Sequence, residues 1–225
     1  MSGHGVVTHR APMRIVIPVY DQVDMLDVCG PCEMFHWAKF QVDLVVEKPG
    51  EVRFNSGLVF QVSAGLGEPK PADALWVPGG EPGSLARIIA EGEGSAYLEF
   101  LKKQAAQSQW VCSVCEGALL LAAARLLDGF RVTTHWAFVP YLMSYYPNVQ
   151  IADGHPRFVI DRDRITGGGI SSGLDEALKL IELLAGRETA ISVQQTTQYY
   201  PEPPVASAIP NVIETEMLPP PQLTS

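Results

Sequence analysis

The sequence predicts an α/β fold, a single-domain open sandwich with a mostly parallel central sheet and helices on both faces. Three observations predict it. Short apolar runs rich in β-branched residues alternate with amphipathic stretches, the order that βα units impose. Several runs, such as Met13–Val19 (MRIVIPV), are apolar but for a single residue, here Arg14, as strands covered on both faces are. The chain of 225 residues is 47% hydrophobic and 18% charged. At that size a fold buries roughly 70% of the surface its unfolded chain exposes, so no disulfide or metal is needed to hold it.

Taken in order, Met13–Val19 is the first strand and Asp27–Lys39 the first helix. Val42–Val46 is the next strand, and Leu58–Val62 follows the Asn55-Ser56-Gly57 turn. Ala74–Val77 runs into Pro78-Gly79-Gly80, and helices follow near Gly83–Ala90 and Ser95–Gln107. Gln109–Val114 is a central strand that leads at once into an apolar helix, Glu116–Leu127. After the Asp128-Gly129 turn come a short strand, Arg131–Thr133, and a helix, Trp136–Tyr146. Phe158–Ile160 and Arg164–Thr166 flank a polar turn and form a hairpin. The Gly167-Gly168-Gly169 run opens the helix Leu174–Ala185, apolar at 174, 177, 178, 181, 184 and 185. A last helix spans Glu188–Tyr199. From Pro201 onward seven of 25 residues are proline, which excludes a helix or a central strand. The expected organisation is a disordered segment at 1–12, one domain at 13–200 and an extended proline-rich arm at 201–225.

Composition narrows the function. A net charge of −9 without any Lys/Arg cluster argues against nucleic acid as a partner. No run of about 18 apolar residues is present, so no membrane span is expected. The first thirteen residues lack the apolar core and cleavage site of a signal peptide. With four cysteines and no secretory signal, reduced thiols and a cytoplasmic location are expected.

The strongest chemical signal is Trp110–Ala124, WVCSVCEGALLLAAA, where a strand ends, Cys115 follows and a helix starts. The unpaired amides and dipole of a helix start favour a thiolate and predict a lowered pKa for Cys115. Gly117 gives the elbow room that a side chain would fill. A buried core cysteine is the commoner fate of this residue type, but the strand–Cys–x–Gly–helix context favours a nucleophile. Two further Cys-x-x-Cys pairs, Cys29/Cys32 and Cys112/Cys115, lack the context of a redox or zinc site. In a thioredoxin-type site the first cysteine closely follows its strand, yet nine residues separate Val19 from Cys29, and 79 separate the two pairs. Gly79 and Gly80, at the carboxyl end of a strand, can bring amides to a developing negative charge, or form an ordinary turn. The three-glycine run matches neither a phosphate loop nor a dinucleotide motif. Asp24 and Asp27 lie past the first strand on the ligand side, where a carboxyl facing the thiol would hold a proton, or else help a helix start. His135 is a second-rank base or proton donor, or a structural histidine.

Six segments occur together in one order: Leu26-Asp27-Val28-Cys29-Gly30-Pro31, Pro78-Gly79-Gly80, Ser113-Val114-Cys115-Glu116-Gly117-Ala118, Leu126-Leu127-Asp128-Gly129, Thr133-Thr134-His135-Trp136 and Thr166-Gly167-Gly168-Gly169-Ile170. In that order they resemble the ThiJ/PfpI superfamily, the thiol-enzyme branch of the class I glutamine amidotransferase-like, flavodoxin-like fold. Asp27, where many relatives carry Glu, and the closing Gln198-Tyr199-Tyr200-Pro201 are similar to the isocyanide hydratases. The resemblance implies a ThiJ/PfpI-like catalytic domain with Cys115 as nucleophile and Asp27 as acid, and oxyanion amides at Gly80 and at the residue after the cysteine. It implies hydration of an isocyanide to an N-substituted formamide through a Cys115 thioimidate. His135 joins the catalytic set, while Gly79, Gly80, Glu116, Gly117 and Ile170 form the substrate side. No cofactor or metal is implied; the partners are a small-molecule substrate and a second copy of the chain, as a homodimer.

One residue departs from the pattern. Isocyanide hydratases carry Thr after the nucleophile, and this chain has Glu116, whose charge would oppose thiolate formation. It either couples to Cys115 or points away as a helix-start carboxylate. The alternatives are aldehyde handling of the glyoxalase type by the same cysteine, and a non-enzymatic redox sensor or regulator in which Cys115 is oxidised. A regulator of the transcription-factor kind would need a helix-turn-helix domain, for which no segment beyond Tyr200 is expected. Glutamine amidotransfer needs a late His-x-Glu pair, and no histidine here has Glu two residues on.

Overall fold

The apolar runs form the centre of the molecule. In the computed structural model, which describes residues 12–215, 217 and 219–220, β1 (Arg14–Pro18), β2 (Gln41–Val45), β5 (Ala72–Val77), β6 (Ser108–Ser113), β9 (Phe158–Asp161) and β10 (Arg164–Gly167) make one sheet. The expectation for 1–12 lies, but for its last residue, outside the described residues. Strand order is β2-β1-β5-β6-β10-β9, and every pairing is parallel except β10 with β9, the expected hairpin. β1, β5 and β6 sit in the middle, and Ile15, Ile17, Leu75, Trp76, Val111 and Cys112 are buried. β-Branched and aromatic side chains covered on both faces are what a central parallel strand requires.

Helices cover both faces. α1 (Met25–Trp37), α6 (Ser172–Ala185) and α7 (Arg187–Thr197) pack together on one, and α2 (Pro82–Ala90), α3 (Ala96–Ala105) and α4 (Gly117–Ala123) on the other. α2 starts where Glu81 accepts from the amides of Gly83 and Ser84, and α3 where Ser95 accepts from Leu98. α5 (Val139–Tyr145) follows a 3-10 turn at Trp136–Phe138.

The differences from the sequence reading are local. α1 begins at Met25, two residues early, which puts Asp27 inside the first turn. The helix expected over Glu116–Leu127 stops at Ala123, because Arg125 takes a φ of 62° and turns the chain back. Two strand pairs contain segments not foreseen: β3 (Gly50–Arg53) pairs with β4 (Val59–Val62), and β7 (Arg131–Val132) with β8 (Gln150–Ile151). β3 (GEVR) places one apolar residue among charged ones, and β8 has only two residues, so neither carries a readable period. From Pro201 the described residues hold no helix or strand, yet the arm returns to the domain. Thr215 donates to the Ala137 carbonyl at 2.5 Å, and Met217 packs on the core. No helix among the described residues is long and apolar enough to cross a membrane.

Candidate active site

Three adjacent strands deliver the site. β1, β5 and β6 all end at the same edge, so the loops after them meet: Asp24 and Asp27 after β1, Pro78–Gly80 after β5, Cys115 after β6. Cys115 has a φ of 57°, a conformation uncommon for a residue with a Cβ and typical of a sharp strand-to-helix elbow. The elbow is over-determined. The Cys115 amide donates to Gly168 O at 2.8 Å, Thr134 Oγ1 donates to Cys115 O at 2.8 Å, and the Val114 amide donates to Val77 O at 3.1 Å. The Gly167–Gly169 run is thus part of the backbone support of the nucleophile.

Two glycines fix how closely the loops meet. A Cβ on Gly117 would lie 2.0 Å from Val77 O, and one on Gly79 would lie 2.5 Å from Glu116 Oε2 and 2.9 Å from Cys115 Cβ. Gly117→Ala is therefore expected to displace the elbow from β5 and to lower stability by about 3 kcal/mol or more, read by denaturant titration. A variant as stable as the parent would show that the elbow yields.

Cys115 and Asp27 are fully buried and Asp24 nearly so, and one ligand-type atom of each lies within 4.8 Å of the others. Asp27 Oδ2 accepts from the Gly79 amide at 2.9 Å, while Oδ1 has no hydrogen-bond partner among the described residues. Asp24 accepts from Asn55 Nδ2, and its amide donates to Gly79 O at 3.0 Å. Two carboxyls and a thiol could face a cation, but two of their oxygens are already engaged by these donors. Asp27 lies in the first turn of α1, and its side chain accepts from the Gly79 amide.

Electrostatics here reverse one expectation. Burial, then the charges of Asp27 and Glu116, push the Cys115 thiol well above its usual range. The lowered pKa expected from the helix start is outweighed by burial and by the three carboxyls around the sulfur. Burial, then Asp24 and Glu116, likewise hold Asp27 well above the usual carboxyl range, against the pull of the Gly79 amide. Each of these raises the proton affinity of Asp27 beside the nucleophile.

Glu116 does not point away. It is 5% exposed, and burial pushes its carboxyl up to about 7, opposed by the neighbouring Cys115 thiol and nearby amides, while Oε2 has no hydrogen-bond partner among the described residues. The Gly79 amide is turned on Asp27. With Glu116→Thr the thiol loses a neighbouring acid that raises its pKa. The alkylation profile of Cys115 is expected to move to lower pH, and an inflection near the Glu116 pKa of about 7 to vanish. Superimposable profiles would remove the coupling.

His135 sits at the wall. Its Nδ1 accepts from the Ala137 amide at 3.3 Å, and burial lowers its pKa, so the ring is neutral and the 4.0 Å approach to Glu116 Oε1 is no ion pair. A cavity of about 370 Å³ opens beside it, lined by Leu26, Trp136, Ile170, Ser172 and, from the arm, Ile209 among others. Cys29 and Cys32 lie on α1 away from this edge, and Cys32 is pushed up to about 12 by burial. Sequence reasoning missed Ser172 and Glu176, both buried on α6 and without hydrogen-bond partners on their side-chain oxygens among the described residues.

Comparison with known proteins agrees with this geometry. The model of the DJ-1/PfpI family matches residues 13–183. The chain is 36% identical to an isonitrile hydratase of Pseudomonas putida over 200 residues, 88% of this chain and 84% of that protein. It is 29% identical to the HTH-type transcriptional regulator GbdR of Pseudomonas aeruginosa over 74% of this chain but 42% of the regulator. Among solved structures, a THiJ/PfpI family protein from Pseudomonas syringae superposes with a TM-score of 0.76 at 29% identity, covering 91% of this chain and 84% of that one. Drosophila melanogaster DJ-1beta, at 19% identity and TM-score 0.74 over 84% of this chain and 98% of that one, shares the fold.

Proposed function

The chain belongs to the DJ-1/PfpI family, and from that premise we propose that it is an isocyanide hydratase-like thiol enzyme, adding water to an isocyanide to give an N-substituted formamide. The observation that carries the reading is the buried Asp27 carboxyl, one oxygen free, grouped with the Cys115 sulfur within 4.8 Å. An isocyanide carbon needs both a nucleophile and a proton, and a carboxyl that burial keeps protonated supplies the second where the sulfur supplies the first.

The steps balance. Sulfur forms a bond to the isocyanide carbon, and the carbon lone pair takes the Asp27 proton. The Asp27 carboxylate left behind accepts the thiol proton, so the thioimidate Cys115–S–CH=N–R forms with Asp27 protonated again. Water then attacks the thioimidate carbon, and one of its protons reaches nitrogen through Asp27. The C–S bond breaks as the carbonyl forms, the remaining hydroxyl proton returns to sulfur, and R–NH–CHO leaves. No cofactor enters these steps.

The engaged Gly79 amide favours this reading over aldehyde chemistry. Attack on a carbonyl develops an oxyanion that needs free amides, and here that amide is held by Asp27. Attack on an isocyanide carbon develops no oxyanion in its first step. The test is turnover of purified protein with an aryl isocyanide beside methylglyoxal, following formamide and hydroxy-acid formation. Formamide alone is the expected product; lactate alone would replace this reading with the glyoxalase one.

A further inference from the structure

A proline inside a helix leaves one carbonyl without its usual partner, and in α1 that carbonyl belongs to the acid of the site. A helical carbonyl accepts from the amide four residues on. For Asp27 that position is Pro31, buried inside α1 and without an N–H to give. Asp27 is fully buried, so an unpaired carbonyl there would be costly. Another element supplies the donor: Trp76 Nε1 donates to Asp27 O at 3.0 Å.

Trp76 is a fully buried residue of β5, and its ring meets that of Phe35 on α1 edge-on, with centroids 5.5 Å apart and planes at 82°. Further along the same stretch of chain, the Gly79 amide donates to Asp27 Oδ2 at 2.9 Å. β5 and the loop after it therefore hold Asp27 at both ends, the backbone through an indole and the carboxyl through an amide. The nucleophile is tied to the same stretch. Val77 O, between those two donors, accepts from the Val114 amide at 3.1 Å, next to the elbow residue Cys115. Acid and nucleophile are thus both referred to Trp76–Gly79.

We propose that Trp76 is a positioning residue for the reaction of Cys115: its indole, bonded to the carbonyl that Pro31 leaves free, ties the first turn of α1 to β5 and so holds the Asp27 carboxyl in place for proton delivery. The proton delivery rests on the hydratase reading, whereas the tie rests on the geometry alone. Trp76 acts through Asp27. Without the indole N–H the turn that carries the acid loses its backbone anchor on β5, and a displacement of about 1 Å at such a group can cost about 100-fold in rate.

Pro31 makes the test selective. Trp76→Phe keeps an aromatic ring and removes the donor. Pro31→Ala gives the Asp27 carbonyl a helical donor of its own, so the double variant satisfies that carbonyl without restoring the tie to β5. Wild type, both single variants and the double variant are compared by thermal midpoint, by aryl isocyanide turnover and by the pH profile of iodoacetamide labelling of Cys115. In Trp76→Phe, kcat should fall about 10- to 100-fold with KM little changed, and the thermal midpoint should fall. Labelling should move to lower pH, because Asp27 withdraws from the sulfur and leaves Asp24 and Glu116 as the carboxyls that face it. In the Pro31→Ala background the same substitution should lower the thermal midpoint much less, yet leave kcat about 10- to 100-fold below that of Pro31→Ala. Wild-type kcat and labelling in Trp76→Phe would overturn the assignment. So would a double variant whose kcat recovers together with its thermal midpoint, since the indole would then only satisfy a carbonyl. Failure of both Trp76 variants to fold would equally make the indole a structural group. Absence of formamide from the wild type would instead overturn the hydratase reading, and the labelling profiles, which need no isocyanide, would still decide whether Trp76 holds Asp27 against Cys115.

Discussion

Replacing Cys115 by alanine is expected to remove formamide production altogether, a loss of about 10⁴-fold or more, because the covalent intermediate cannot form. No neighbour can substitute. Cys112 points to the other side of β6, where its thiol lies near Glu176, and Cys29 and Cys32 sit on α1 away from the edge. Cys115→Ser should lose nearly as much, since a hydroxyl among three carboxyls is still harder to ionise than a thiol. Both variants should fold, because the hydrogen bonds that set the elbow come from the backbone of residue 115 and not its side chain. Formation of formamide, with near-ultraviolet circular dichroism as the fold check, measures this. Turnover by Cys115→Ala above one tenth of wild type would remove the thiol from the mechanism.

Asp27→Asn carries the second largest effect, and it separates two roles of the acid. Asn keeps the shape and can still accept from the Gly79 amide at the position of Oδ2. It cannot deliver a proton to carbon, so kcat should fall about 10²- to 10³-fold while KM changes little. When it ionises, Asp27 becomes the largest charge that raises the thiol pKa. Its removal should make Cys115 ionise at lower pH, giving a better nucleophile in a slower enzyme. An acid that merely supported α1 would lower stability and leave both kcat and the thiol titration unchanged.

What the sequence made legible follows from which forces act locally. The elbow was legible because a buried strand must stop before a helix can start, and Gly117 is the one residue that the contact with Val77 O admits. Asp27 was legible as a residue beyond β1, but its meeting with Cys115 depends on β1, β5 and β6 being neighbours, a property of the whole sheet. The sign of the Cys115 shift was not legible. A helix start is visible in sequence, whereas the complete burial and the three surrounding carboxyls that outweigh it are assembled by tertiary packing. Glu176 was hidden for a related reason. The apolar positions 174, 177, 178, 181, 184 and 185 suggest one face for α6, yet the buried face contains Ser172, Gly173, Glu176, Ala177, Leu180 and Ile181. That face is rotated towards α1 and the sheet, and a carboxyl lies in its middle. Glu116 was visible as a departure, but its direction was settled only by the approach of Gly79 and Gly80.

The central claim is that proton delivery by Asp27, and not the supply of thiolate, governs the reaction of Cys115. Its most direct test is to record, over one pH series, both iodoacetamide labelling of Cys115 and aryl isocyanide turnover for wild type and Asp27→Asn. The account predicts opposite movements: the labelling curve of Asp27→Asn shifts to lower pH while its kcat falls about 10²- to 10³-fold. A variant whose turnover rises in step with its thiolate fraction would contradict it.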